Sequence, residues 1–357
     1  MAVVAGMVPT LDDSAFAKFD APRTTSHVAK VLREKMESLD QAEHLEALMA
    51  ESIDSILRAQ HVASERERPQ PERVVKALAV GRRAQLVVWI MQTFDVLGLD
   101  DAMVHGVALN IDRFCASCDG ALPQNSLQCL LLAAACTEFK IDGFSDHPDK
   151  EWKRVLRHMS QGRVPMLDIL RFECHVLSRL QYVVGLPTPF TFLKSLATRL
   201  QPEEKAPQWR CLATFLLELV LMEPEIQHGF PHAYLAAGAL AAAFRVLAAP
   251  PERREELLED VALWPVPGES GDELLAVCEE ELLQLWIRCK ACLVEFYPVF
   301  CLLEARYCQH SKFRVALLSP DMALKALREE REEEDIKNIC WSRWGISGAL
   351  RQSESAM

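Results

Sequence analysis

From His27 to about His61, apolar positions return every three or four residues: Val28, Val31, Leu32, Met36 and Leu39 form one stripe, and Leu45, Leu48, Ile53, Ile56 and Leu57 a second. That period predicts amphipathic helix. Residues 1–25 lack such a period and carry Pro9, Asp12, Asp13 and Pro22, the pattern of a flexible tail. Glu65–Glu72, with Pro69 and Pro71 among charges, reads as a connector. Five helical stretches follow, at about 78–97, 101–118, 123–140, 148–160 and 165–182, with Pro123 and Pro165 where a first-turn proline needs no donor. Pro187 and Pro189 close the set. A second group runs at about 207–223, 231–248, 251–263, 271–293 and 298–309, with Pro231 and Pro298 again at starts. Strand signals are nearly absent. The chain therefore reads as all-α: a tail (1–25), an N-terminal helical extension (26–75), two repeats of about five helices (76–188 and 189–320) and a charged C-terminal tail (321–357). Met322–Lys337 is dense in Arg and Glu and predicts a solvated helix, with Trp341 and Trp344 available to dock it on the body.

Composition fits a helical globular protein: 357 residues, 50% hydrophobic, 25% charged and only 14 Gly. The net charge of -12 argues against general nucleic-acid binding and favours protein partners. Two runs without formal charge, Gly120–Thr137 and Ile226–Phe244, approach membrane-spanning length. Pro123, Gln124, Asn125 and Gln128 in the first, and His228, Pro231, His232 and many Ala in the second, suit buried helices, so no membrane partner is expected. Met1–Pro9 is apolar but lacks a basic n-region, so no secretory leader is expected, and the twelve Cys read as reduced, mostly buried thiols. Cys115-x-x-Cys118 and Cys289-x-x-Cys292 lie on helices of different repeats, which argues against a zinc site. Cys174 and His175 are helix neighbours and diverge by about 100°, too far for a thiol–imidazole dyad. No phosphate loop, kinase catalytic motif or His-Glu-x-x-His occurs. The reading is a non-enzyme without cofactor or metal.

One ordered set of motifs is specific. Arg83-Ala84-Gln85-Leu86-Val87-Val88-Trp89 is followed by Leu109-Asn110-Ile111-Asp112-Arg113-Phe114, Ser126-Leu127-Gln128, Phe139-Lys140, Arg171-Phe172-Glu173 and Leu186-Pro187-Thr188-Pro189. In order and spacing these resemble the first box of the cyclins, activating subunits of cyclin-dependent kinases. In the second half, Leu216–Met222 looks like the first helix of the cyclin C-terminal box and Phe230 through Ala243 like its Ala-rich second helix. Arg306-Tyr307-Cys308-Gln309-His310-Ser311-Lys312-Phe313-Arg314-Val315-Ala316-Leu317 is close to the terminal motif of mitotic cyclins. The resemblance covers about residues 50–318. It implies tandem cyclin-fold repeats and a regulatory subunit that binds and activates a cyclin-dependent Ser/Thr kinase in cell-cycle control, in nucleus and/or cytoplasm. The alternative is a cyclin-fold adaptor that activates no kinase.

Site residues follow from the same resemblance. Arg83 and Asp112 match an internal ion pair that ties the first helix of the box to the second. Lys140 and Glu173 match the Lys and Glu with which cyclins grip the kinase backbone beside its mobile αC helix. Ile141, Phe144, Tyr182 and Val184 match apolar side chains presented to that helix. A groove that recruits kinase substrates is only partly matched: Leu86, Trp89 and Gln128 are kept, whereas Arg82, Gln85 and Val88 replace the usual Met, Ile and Asp, and Cys129 the usual Leu. Two polar intrusions into an apolar groove predict weak Arg-x-Leu docking. Residues 1–75 contain neither an Arg-x-x-Leu nor a Lys-Glu-Asn degradation signal; Arg254-Glu255-Glu256-Leu257 has the letters but falls within the second repeat.

Overall fold

The computed structural model describes residues 39–141, 151–199 and 205–331, with side chains from residue 53. The chain divides into two units, Met1–Ile56 and Leu57–Met357. Of the first, the described backbone is helical and belongs to α1, Leu39–Arg66. The second unit holds everything else that bears on function.

Its first repeat is α3 (Val80–Leu97), α4 (Asp101–Ala116), α5 (Leu127–Ile141), α6 (Glu151–Ser160) and α7 (Met166–Arg179), preceded by the short α2 (Pro71–Ala77). Gly98 ends α3 because its left-handed backbone, φ +66°, lets Leu99 N–H reach back to the Phe94 carbonyl at 2.9 Å. Two residues on, the Asp100 side chain accepts from Ala102 N–H at 2.8 Å and starts α4. The middle of helix α5 is apolar on all sides: Leu130, Leu132, Ala133, Ala134, Ala135 and Cys136, with Phe139 beyond, are fully buried. It can only lie at the centre, and α4, α6 and α7 pack around it.

The second repeat has the same plan: α8 (Pro189–Arg199), α9 (Ala206–Val220), α11 (His232–Val246), α12 (Glu252–Val261) and α13 (Gly271–Lys290), with a short α10 (Pro224–Gly229) before the central α11. Helices α8, α9, α12 and α13 surround α11. Thus Leu216–Met222, expected to begin this repeat, falls on and just after its second helix, and the Ala-rich segment is the third. Pro187 and Pro189, read as terminators, instead flank the start of α8, whose Phe190, Phe192, Leu193 and Leu196 are buried. The connector is also shorter than expected. Helix α1 runs through Arg66 and α2 begins at Pro71, packing on α4 and α10 rather than joining the extension.

Two polar knots join the repeats. Arg83 on α3 donates from Nε to Asp112 Oδ1 at 2.7 Å and from Nη2 to Oδ2 at 2.5 Å. It also donates to the Leu221 carbonyl and to Gln227 Oε1, while His228 Nε2 lies 2.8 Å from Asp112 Oδ2. Arg306, on α14 (Tyr297–Tyr307), donates to both oxygens of Glu218 at 2.6 Å, to Asp95 at 2.6 Å and to Asp101 at 2.7 Å. Burial pushes the Glu218 carboxyl up to about 7.

Residues 321–331 form α15, which departs from the expected solvated helix. Ala323, Leu324 and Leu327 are buried, and Arg328 and Arg331 reach Glu280 at 2.9 and 2.6 Å, while Glu330 meets Arg245 at 2.8 Å. Its charges are the rim of an amphipathic contact. Trp341 and Trp344 lie outside the described residues.

Candidate functional site

The central helix of the first repeat ends at the surface, and that end carries Lys140 and Ile141. Helix α7 packs along α5 and presents Glu173 to it, so the Lys140 ammonium donates to Glu173 Oε1 at 2.7 Å and Oε2 at 2.6 Å. The two ends of this bridge differ: the Glu173 side chain is 5% exposed and that of Lys140 40%. Burial works against the Lys140 charge, and the bond to Glu173 overrides it, so the ammonium titrates above its ordinary value. Trp152 on α6 lies under the ammonium, 5.1 Å from ring centroid to Nζ. One turn back, burial and the Glu173 charge push the Cys136 thiol up to about 12, so it stays neutral beneath the pair. What emerges is a fixed cation with its counter-ion, half out of the protein at a helix end.

Apolar surface adjoins it. Ile141 is 43% exposed and Tyr182 71%. Tyr182 owes its position to the turn after α7, where Gln181 and Tyr182 both take left-handed backbone, φ +52° and +61°, and Tyr182 N–H bonds back to the Leu177 carbonyl at 2.8 Å. Such backbone costs a non-glycine residue about 1 kcal/mol or more. Arg113 holds the next residue by donating to the Val183 carbonyl at 2.6 Å. Val184 is half-buried, and Gly185 passes so close to Ile141 that a Cβ there would sit 3.5 Å from its Cγ2. The turn therefore packs at Gly185 against Ile141 at the end of α5, where Lys140 meets Glu173, and the exposed Tyr182 lies three residues before that contact. Phe144 lies outside the described residues.

The other expected residues fall elsewhere. Arg83 and Asp112 are buried between the repeats, and Arg83 with its hydrogen bonds holds the Asp112 carboxyl down at about 2 against the burial that would raise it. Sequence reading missed their second-repeat partners, Gln227 and His228, although polar residues inside the uncharged run 226–244 were a signal. On α3, Arg82, Gln85, Leu86 and Trp89 share one helical face; Arg82 and Gln85 are exposed, while Leu86, Trp89 and, on α5, Gln128 and Cys129 are half-buried. Val88 is buried and faces away from solvent.

The Cys pairs show no shared centre: Cys115 and Cys289 are buried in different repeats. Of the eleven described Cys, four are buried, five half-buried and two, Cys174 and Cys292, exposed, so fewer are fully buried than expected. Among the described residues no helix is long and apolar enough to cross a membrane, and the two uncharged runs lie largely on buried helices.

Parts of the chain are similar to known proteins. The family model "Cyclin, C-terminal domain" matches residues 187–262, which span α8 through α12 of the second repeat. Cyclin-B2-1 of Arabidopsis thaliana is 31% identical over 158 residues, 43% of this chain and 34% of that protein. The G2/mitotic-specific cyclin-2 of Medicago sativa is 30% identical over 161 residues, 44% of this chain and 45% of that one. The matches thus span between a third and a half of these relatives' length. Among solved structures, a viral cyclin from herpesvirus saimiri superposes with a TM-score of 0.46 at 18% identity, over 58% of this chain and 87% of that one. The second repeat thus matches the cyclin C-terminal domain, and over the matched part of its length the chain is similar to mitotic cyclins.

Proposed function

We propose that the chain is the regulatory subunit of a cyclin-dependent Ser/Thr protein kinase in cell-cycle control, acting through contact and contributing no catalytic group. One observation carries this reading: the Lys140–Glu173 bridge stands half-exposed beside Ile141 and Tyr182, two apolar side chains left in water. An ammonium has three donors and the Lys140 side chain is 40% exposed, so the bridge leaves a donor for a partner's backbone carbonyl while the buried Glu173 holds it in place. Charge-assisted bonds of this kind fix position, while burial of Ile141 and Tyr182 supplies apolar area. A kinase needs its own Lys–Glu pair between strand β3 and helix αC, and a protein that packs only against the active placement of αC shifts the population toward it.

Affinity purification of the full chain from its native cells tests this. A Ser/Thr kinase that co-purifies near stoichiometrically and phosphorylates a histone-type substrate is the expected result. Recovery of a stable protein complex without kinase would instead favour the adaptor reading.

A further inference from the structure

Beside the 181–185 turn, the end of α1, the start of α2 and the C-terminal ends of α4 and α7 border an open, shallow concavity of about 310 Å³. Its wall carries Arg66, Arg68, Arg73, Arg113 and Arg179. Five guanidiniums around one hollow are unexpected in a chain of net charge -12. Glu67 balances part of the charge, meeting Arg66 at 3.2 Å and Arg113 at 2.8 Å, and Glu65 meets Arg68 at 3.0 Å. Arg73 and Arg179 meet no carboxylate among the described residues. They donate only to the Ala116 and Ser117 carbonyls at the end of α4, each at 3.4 Å, the long limit of a hydrogen bond. Two guanidinium forks therefore reach adjacent carbonyls at the end of α4 with most of their donors unspent.

We propose that this basin binds a phosphorylated segment of a protein partner docked on the neighbouring Lys140–Tyr182 face, an inference that rests on the partner-binding reading above. A phosphate monoester carries nearly two negative charges and three acceptor oxygens, which suits two or more guanidiniums at once. The form of the site favours a peptide over a lipid surface. It is concave, its rim includes Gln181, the residue before Tyr182, and the rest of the chain is acidic, whereas membrane attraction needs an extended basic face.

The test uses the full chain and a degenerate phosphothreonine peptide mixture on beads, beside the same mixture unphosphorylated. Retention on the phosphorylated beads at least ten-fold higher is expected. Arg73→Ala with Arg179→Ala should abolish the preference, and Arg66→Ala, at a side chain 70% exposed and hence harmless to the fold, should cut it several-fold. Arg82→Ala, outside the basin, should change nothing, and helical circular dichroism checks each variant. Lys140→Ala should keep phosphopeptide retention while losing kinase, so failure of the kinase reading and failure of the basin are told apart. Equal retention on both beads, or a preference that survives the double alanine variant, overturns the proposal. Elution by inorganic phosphate at the peptide's own concentration, or capture by phosphatidylserine vesicles in place of peptide, overturns it in favour of a free-anion or a membrane site.

Discussion

Arg83→Met should unfold this protein more readily than any surface change, because Arg83 is the hub through which one repeat holds the other. The substitution keeps volume and removes the charge. It leaves Asp112, fully buried, with His228 Nε2 as its remaining polar partner. Breaking one side of a buried ion pair costs about 3–5 kcal/mol, mostly through the stranded charge. The carboxyl gives an independent figure. Against the burial that would raise it, Arg83 and its bonds hold Asp112 near 2 rather than 3.8, a shift that corresponds to about 2.5 kcal/mol of folding stability. A depressed carboxyl contributes that stability above its unfolded value of 3.8, and the contribution is lost as pH falls toward 2. Without Arg83 the sign reverses. Burial then raises the carboxyl above its unfolded value, so the penalty is largest at neutral pH and shrinks as Asp112 takes a proton. Burial also lowers His228, and its protonation on acidification would pair with Asp112 and act in the same direction. Urea unfolding of wild type and variant at pH 7, 5.5 and 4 is the assay. A loss of about 3–5 kcal/mol at pH 7 that narrows toward pH 4 is expected. A loss under about 1 kcal/mol, or a gap that widens on acidification, would refute the reasoning.

Three further outcomes follow from particular contacts. At Gly106 on α4 a Cβ would overlap the buried Glu138 carboxylate, so Gly106→Ala should cost about 1–3 kcal/mol in urea, and unchanged stability would contradict the close approach of α4 and α5. Leu327 is 1% exposed, so Leu327→Ala should cost about 2–5 kcal/mol, against under about 0.5 for the exposed Lys325→Ala; equal effects would mean that α15 does not pack on the second repeat. Arg82→Met with Gln85→Ile should strengthen binding of an Arg-x-Leu peptide several-fold in fluorescence anisotropy without altering kinase capture, since it removes two polar groups from the outer face of α3. Tight binding by the wild type, or no gain, would assign that face to another ligand.

Sequence reading placed most of the helices because their signals are local: prolines at starts, three- and four-residue apolar spacing, and a run without formal charge, Gly120–Thr137, that suits a buried helix. It missed α8 because Pro187 and Pro189 read equally as stop and as start, and only the packing of Phe190 and Phe192 decides between them. It read α15 as solvated because its many Arg and Glu outweighed the short stripe Ala323, Leu324 and Leu327. Lys140 and Glu173 were legible only as a resemblance; a lone Lys and a lone Glu 33 residues apart carry no local signal that they meet. The same limit hid Gln227 and His228 from Arg83 and Asp112, since contacts between repeats depend on how two finished helical layers dock. The arginine basin was equally hidden, its members coming from four separate segments.

The central claim is that the Lys140–Glu173 bridge is the grip on a kinase, and the most direct measurement is activation by bridge variants. The co-purified kinase, freed of this chain, would be combined with purified wild type, Lys140→Ala or Glu173→Gln, each with normal helical circular dichroism, and assayed on a histone-type substrate. Wild type should restore phosphorylation, and both variants should lose it at least ten-fold while Arg82→Ala retains it. Full activation by both variants would contradict the account and move the kinase-binding face away from the end of α5.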